Sequence, residues 1–460
     1  MKEHHRRRVA VVGTGMAGLT AAYLLHHDPQ QRFQVRLIDK RDQISLSAES
    51  IPIPCSDPGV SKSVWADVPM RAFAGGFYRN LIRMYDYLGV RYHSQPFVFS
   101  FSRLSSRRRQ QQQQQQQEEE PYMVHTSNFH QLSPLLPRKG DVFQWLIEAV
   151  FALLCYLWFI LCCFLVTPKE DESFDHYLRR IYLPQYYNAN YLLPLISSVC
   201  TCSHEELLQF PAVDVLAYKR LTHRQPHYVV TDGVREVQVT LLRGLDVRLG
   251  VESTKVTPRP NGVELTYRTA DSKAQETTES FDLVVLAVSP DVVAHIFEPL
   301  ASSLGEVPTT TVKTVAHTDF ANLPQVGMGV KPKFSVSSEA GAPQHIYLRS
   351  NASTTESVHV QPNSVLVTTN PLTPIHETKV IQSASFTRVL RSPQSRRLIN
   401  RVFDKESRHA DSKAVNWRSG DNGVYLAGGW CWDGMVLLEG CIVSAMRVAA
   451  DLGVEVPWER

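Results

Sequence analysis

Three glycines, Gly13, Gly15 and Gly18, separate an apolar strand-like run, Val9 to Val12, from a helical one, Leu19 to Leu25; a second apolar run, Val35 to Ile38, ends in Asp39. Each residue type has a use in holding a dinucleotide. Gly13 allows a tight turn, Gly15 lets the backbone approach a pyrophosphate, and Gly18 lets the helix pack against the strand. The helix start, with Met16 and Ala17, offers free N–H groups to phosphates. Asp39, followed by Lys40, stands where a carboxylate accepts hydrogen bonds from both hydroxyls of a ribose. An ordinary tight turn accounts for Gly13 and Gly18 but gives Asp39 no use.

A second unit of this kind stands near the other end. Val424 to Leu426 reads as a strand closing in a turn at Gly428 and Gly429, and a helix rich in small residues follows from about Glu439 to Leu452. Trp430, Cys431, Trp432 and Asp433 come straight after the turn. Either they form a substrate-facing aromatic wall with an acid, or they pack as a loop beneath a bound ring. Nothing visible lowers the pKa of Cys431, so it is not read as a redox centre. Arg71 can meet cofactor phosphates or a substrate carboxylate, or make a structural salt bridge. Cys200, Cys202, His204 and Glu205 cluster in sequence, but Ser203 in their midst reads as the cap of a helix start. No metal site is assigned.

The elements that carry these units are legible in outline. Tyr228 to Val230, Val247 to Val256, Val263 to Tyr267, Leu283 to Ala287, Val365 to Thr369 and Ala384 to Phe386 read as strands. Asp175 to Tyr191 reads as a helix broken by Pro184, and Thr387 to Phe403 as a basic, partly helical segment. Phe97 to Phe101 and Tyr122 to Val124 read as a hairpin whose loop has swollen. That loop, 105–121, holds Gln110 to Gln117 and Glu118 to Glu120 and cannot bury a core, so disorder is expected. Ala149 to Val166 contains no charge and is long enough for a membrane span. If the two glycine turns meet in one site, a single span between them would part them. A buried helix, or one lying monotopically in a leaflet through 149–166, fits better, and all three readings stay open.

Composition narrows the class. The 460 residues carry 48 basic and 45 acidic side chains, a net charge of +3, which gives no reason to expect a nucleic-acid partner. Eight cysteines form no CxxC pair, and a strand begins at Val9 where a secretory signal would lie; a reducing, cytoplasmic-side location is expected.

Two glycine-bounded strand–helix units at opposite ends, with strands between, resemble the split nucleotide domain of FAD-dependent oxidoreductases. More closely, Gly13 to Leu25, Asp67 to Arg71, Tyr228 to Gly233, Phe281 to Pro290 and Leu426 to Ala450 resemble the flavin amine oxidase and phytoene desaturase superfamily, in a fungal-type NAD/FAD-binding form. The resemblance implies an α/β fold with an α+β substrate part. The Rossmann-like FAD-binding domain would be split over 1–80, 228–300 and 415–460. A substrate domain of mixed sheet and helices would occupy 81–227 and 301–414. It implies that Gly13, Gly15 and Gly18 hold the FAD pyrophosphate and Asp39 the adenosine ribose, that Ser253 meets adenine, and that Ala287 ends the strand passing the cofactor. Gly428 and Gly429 would touch phosphate and ribityl chain. Leu438, Glu439 and Gly440 would begin a helix facing the flavin pyrimidine edge, where its N–H groups stabilise negative charge at N1 and O2. Glu439 is expected to fix that helix start rather than to act as a base.

Three departures from the family pattern stand out. Asp39 is followed by Lys-Arg-Asp-Gln without the usual double glycine, Gly429 leads into Trp430 rather than an acid, and Leu437 stands where true amine oxidases have a cage tyrosine. An apolar residue there suits a hydrocarbon better than an amine, and no cysteine matches a covalent-flavin position. The expectation is a flavin-dependent oxidoreductase with noncovalent FAD, taking a hydride from a lipophilic small molecule at N5, with Trp430, Trp432 and Leu437 facing the substrate. A redox-neutral double-bond isomerase and a degenerate, non-catalytic flavoprotein remain as alternatives.

Overall fold

The computed structural model describes residues 6–44, 49–53, 64–104, 121–127, 131–134, 142–269, 275–323, 343–361, 365–403 and 417–459. The glutamine-rich insert, up to residue 120, lies outside the described residues. Five strands, β1 (Arg7–Val12), β2 (Phe33–Ile38), β3 (Asp246–Arg248), β4 (Leu283–Leu286) and β5 (Val424–Leu426), form one sheet in the order β3-β2-β1-β4-β5. Every pairing is parallel. Val9, Ala10 and Val11 on β1 and Leu283, Val284 and Val285 on β4 are buried on both faces, as the centre of a parallel sheet covered by helices must be. The winding runs from β1 out through β2 and resumes at β4 on the other side. That reversal leaves a crevice outside the carboxyl ends of β1 and β4, where doubly wound sheets bind ligands.

Five helices bear on the site: α1 (Met16–His26), α2 (Arg79–Leu88), α3 (Val142–Leu165), α4 (Ala212–Thr222) and α5 (Leu438–Asp451). α1 and α5 pack side by side, both rich in small buried residues such as Ala17, Ala21, Ala445 and Ala449. The two ends of the chain therefore meet in one core.

Facing the crevice is a second sheet of eight strands. In spatial order these are Val380–Val389, Thr309–His317, Val365–Thr369, Thr355–Gln361, Gln344–Ser350, Phe97–Arg103, Met123–Thr126 and Gln131–Pro134. The expected hairpin is present, with Phe101 opposite Met123. Phe97–Arg103 also runs parallel to Gln344–Ser350, so this sheet too joins segments from both sides of α3.

Three expected elements divide. Val247 to Val256 breaks at Gly250: β3 stays with β2, while Val251–Arg259 leaves to pair with Gly262–Thr269. Asp175 to Tyr191 is a helix Phe174–Arg180, capped by Ser173, with helical structure resuming only beyond Pro184. Thr387 to Phe403 begins as the end of a strand and turns helical at Pro393. Ser203 caps His204–Leu208 in a complete capping box with Glu206.

α3 is not a buried core helix. Ala152, Cys155, Phe159, Cys162 and Cys163 are buried on one face, while twelve large apolar side chains on the other are 47–70% exposed. It is the one described helix long and apolar enough to cross a membrane. A simple span is excluded by the hydrogen bonding: strands before and after α3 share both sheets and cannot lie on opposite sides of a bilayer.

Candidate functional site

A cavity of about 730 Å³ opens at the crevice, within the roughly 300–1,000 Å³ typical of small-molecule and cofactor sites. Gly13, Gly15, Met16, Ala17, Asp39, Lys40, Arg71, Ser253, Ala287, Gly428, Gly429, Trp430, Leu437 and Leu438 all line it. Residues separated by more than 400 positions in sequence thus share one wall. Two expected site residues, Gly18 and Trp432, are not on that lining.

The early turn explains Gly18. A Cβ there would stand 2.0 Å from the Gly13 carbonyl oxygen, so Gly18 serves the packing of α1 on β1, not the ligand. Gly13, with φ +106°, is the turn itself. Gly15 is the opposite of Gly18: a Cβ on it would meet no protein atom within 4 Å. It leaves open space at the N-terminus of α1, where no side chain caps the helix. A helix N-terminus without a side-chain cap, beside open space, suits a pyrophosphate.

Asp39 has a use that the sequence reading denied to an empty turn. Its Oδ2 accepts from the Thr14 N–H (2.8 Å) and Thr14 Oγ1 (2.7 Å), and Oδ1 accepts from the Arg41 N–H (2.9 Å). The carboxylate staples the glycine turn to the end of β2. A carboxylate has about four acceptor sites, so these three bonds leave capacity for one ribose hydroxyl rather than two. Nearby, the strand Val251–Arg259 bulges between Ser253 and Lys255. Ser253 Oγ is buried at the cavity with no hydrogen-bond partner. An orphaned hydroxyl, an open glycine floor, a ribose acceptor and the cations Lys40 and Arg41 together fit the polar half of FAD.

The late turn is built differently. Trp430 lines the cavity, but its Nε1 donates to the Val288 carbonyl (3.0 Å) and the ring is 3% exposed. It is a fixed wall. Trp432, expected to face substrate, instead donates from Nε1 to the Met435 carbonyl (2.9 Å) and packs edge-on against Phe77. Its indole occupies the space beside Gly440, where a Cβ would lie 2.3 Å from the ring. Asp433 points outward to Arg396 and supplies no acid. Cys431 is fully buried outside the cavity, and burial pushes its thiol well up. The segment packs as a loop, with Trp430 on the cavity wall and Cys431, Trp432 and Asp433 off it.

What holds the loop is Arg391, which sequence reasoning missed. Its Nη1 donates to the Trp432 (2.6 Å) and Gly434 (2.9 Å) carbonyls and its Nη2 to the Trp430 carbonyl (2.6 Å), with Asp214 at 3.8 Å. Glu439 does fix a helix start, but of α2 rather than its own helix. Its carboxylate accepts from Asn80 N–H (2.9 Å), Asn80 Nδ2 (2.7 Å) and Leu81 N–H (3.1 Å), tying α5 to α2. The N-terminus of α5, capped by no side chain, opens to the cavity beside Leu437 and Leu438.

The far end of the cavity was largely unanticipated. Residues of the eight-stranded sheet, Phe97 and Phe99, Ser357 and His359, Phe386 and Arg388 among them, line it together with Tyr78 and Tyr218. Burial, then the neighbouring Arg388 charge, lowers Arg71 to about 10, so it remains cationic at neutral pH. Burial holds His227 and His359 down at about 4, hence neutral, and raises Tyr78 and Tyr218. The one lining cysteine, Cys441, is pushed up to about 11 by burial and stays a thiol.

A family model for an NAD(P)-binding Rossmann-like domain matches residues 11–88, and one for flavin-containing amine oxidoreductases matches residues 141–374. No curated protein sequence matches the chain. Among solved structures, a protein from Exiguobacterium sp. 255-15, provisionally named a protoporphyrinogen oxidase, superposes with a TM-score of 0.59. The match covers 98% of this chain and 99% of that one at 14% identity, a likeness of fold.

Proposed function

Because the chain belongs to the family of flavin-containing amine oxidoreductases, we propose that it binds FAD noncovalently and oxidises or desaturates a lipophilic small molecule carrying an acidic group. That it is a flavin-dependent oxidoreductase follows from the family. The observation that carries the finer reading is the single cavity running from the open floor at Gly15 to the apolar walls Phe97, Phe99, Phe386 and Leu437. Bound FAD supplies a hydride acceptor at N5.

The chain's own residues supply the rest. The N-terminus of α5, which no side chain caps, would stabilise negative charge at the flavin pyrimidine edge. Trp430 and Leu437 exclude water beside the ring, and Leu437 in place of a cage tyrosine favours a hydrocarbon over an amine. Arg388, with Nε donating to the Cys200 carbonyl (3.1 Å) and Arg71 close by, provides cationic charge for a carboxylate at the substrate's polar end. Noncovalent attachment is supported by Cys441, whose protonated thiol is a poor nucleophile.

The test is purification, flavin identification, and anaerobic mixing with unsaturated fatty acids, terpenoid acids and amines. Lasting bleaching of the flavin by an acidic lipid is expected, with turnover falling when Arg388→Leu removes the charge. Product without net bleaching would replace oxidation by isomerisation. Protein that takes up no flavin, even with FAD added, would overturn the proposal.

A further inference from the structure

The outer face of α3 has no counterpart in the flavin chemistry. It is a stripe of twelve large apolar side chains, from Val142 to Leu165, each about half exposed or more. At about 1.5 Å per residue the helix is ~36 Å long. The stripe exposes roughly 1,000 Å² of apolar surface, above the roughly 300–600 Å² that forms the largest patch on an ordinary monomer. Its one acid, Glu148, is turned inward, bonded to the Tyr191 hydroxyl.

The borders of the stripe are aromatic and basic. On the α4 side, the Lys219 ammonium stands 5.8 Å from the Tyr156 ring centre and the His223 ring 5.6 Å from that of Phe164. Arg220 and Arg224 are near enough to act electrostatically on Cys163 and Tyr156. On the other side, Trp158 Nε1 donates to the Ile181 carbonyl (2.7 Å), and Tyr182 next to it is 88% exposed. Of the acids that follow α3, Asp171, Glu172 and Asp175 are each paired with an arginine, Arg397, Arg180 and Arg179. Apolar centre, amphipathic aromatic edge and net basic rim match the cross-section of an anionic lipid leaflet.

We infer that α3 docks the protein on the surface of an anionic membrane, lying in the plane of the leaflet with its outer face among the acyl chains. The orientation follows from the fold. The inner face is fixed to the protein through Cys155, Phe159, Cys162 and Cys163, and both sheets combine strands from before and after the helix. Such a helix can sink sideways but cannot thread the bilayer. α4 carries Lys219 against α3 and Tyr218 on the cavity wall, so one helix separates lipid from cavity. This inference is independent of the bound cofactor.

The experiment is flotation of the full-length protein with vesicles of phosphatidylcholine, alone or mixed with phosphatidylserine. Wild type is expected to float with the mixed vesicles. L154S/L157S/L161S, all on the exposed face, is expected to lower partitioning by about a hundredfold or more. R220Q/R224Q is expected to lower it about thirtyfold on the mixed vesicles and little on phosphatidylcholine alone. Brominated acyl chains are expected to quench part of the tryptophan emission, and W158F, independent of how the triple variant folds, to remove that part. Three results would overturn the inference. Wild type stays below the vesicles, Trp158 is not quenched, or the stripe mediates a concentration-dependent dimer that the triple variant abolishes and lipid does not compete with.

Discussion

A side chain added at Gly15, in the early turn, meets no protein atom within 4 Å; one added at Gly440, beside the late turn, meets the Trp432 indole at 2.3 Å. The early turn keeps a vacancy, and its walls are backbone and one carboxylate. At the late turn tryptophan fills the space beside Gly428, Gly434 and Gly440, and Arg391 pins the loop from beneath through three carbonyls. The same residue type therefore marks open space at one end and space occupied by protein at the other. Substitutions in the first should be felt in binding, and in the second in folding.

The largest effect is expected at Arg391. Arg391→Met orphans three carbonyls and leaves Asp214 with one cation fewer, so the denaturant midpoint should report a loss of about 3–5 kcal/mol. A loss below about 1 kcal/mol would mean the late turn stands without its pin. Next is Gly15→Asp. An aspartate is a favourable N-cap for α1, so the flavin-free protein should be no less stable. Its charge opposes the pyrophosphate, and titration should show flavin affinity down roughly a hundredfold, or about 2.7 kcal/mol. Equal losses of stability and affinity would erase the distinction between the turns.

Gly440→Ala should cost about 1–3 kcal/mol by overpacking against Trp432. Trp432→Ala in the same chain should recover part of that cost, a coupling read by a double-mutant cycle. Additive effects would place the strain elsewhere. The comparison should be least sensitive to pH, because neither turn holds a histidine. His227, His317 and His359 are each held at about 4, against an ordinary 6.5, mainly by burial. The unfolded chain binds more protons between those values, so stability is complete above about pH 6.5 and declines towards pH 4. Thermal melts should show that decline equally in Gly15→Asp and in the parent.

The early turn was legible because each of its functions lies within about thirty residues and has a fixed spacing. Gly13, Gly15 and Asp39 all reach the cavity. The structure changes the meaning of Asp39, since Thr14 is an ordinary residue in the motif and only its geometry makes it a donor. At the late turn the residues that matter are remote. Nothing around Arg391 distinguishes it from its basic neighbours, and its partners lie about forty positions away. Glu439 was read as structural, but the helix N–H groups it binds begin with Asn80, 359 residues earlier. The cavity's far wall was invisible because strands with one polar and one apolar face say which residues alternate, not what the buried face looks onto. In α3 the length and lack of charge were plain. Apolar residues on every side carry no periodic signal of which face is docked, so three readings stayed open; burial removes the buried-core reading and strand pairing the simple span.

The arrangement of the parallel sheet also governs the birth of the molecule. β1 leaves the ribosome well before its partner, for the residue that receives the Arg8 amide, Asp282, lies 274 positions downstream. At roughly 5–20 residues per second, the nascent chain waits about 14–55 s before that pairing is available. During this interval α3 has emerged with its oily side bare, while α4 and the sheet that support it are still being made. Translation thus sets an interval in which the exposed face of α3 is open to neighbouring nascent chains.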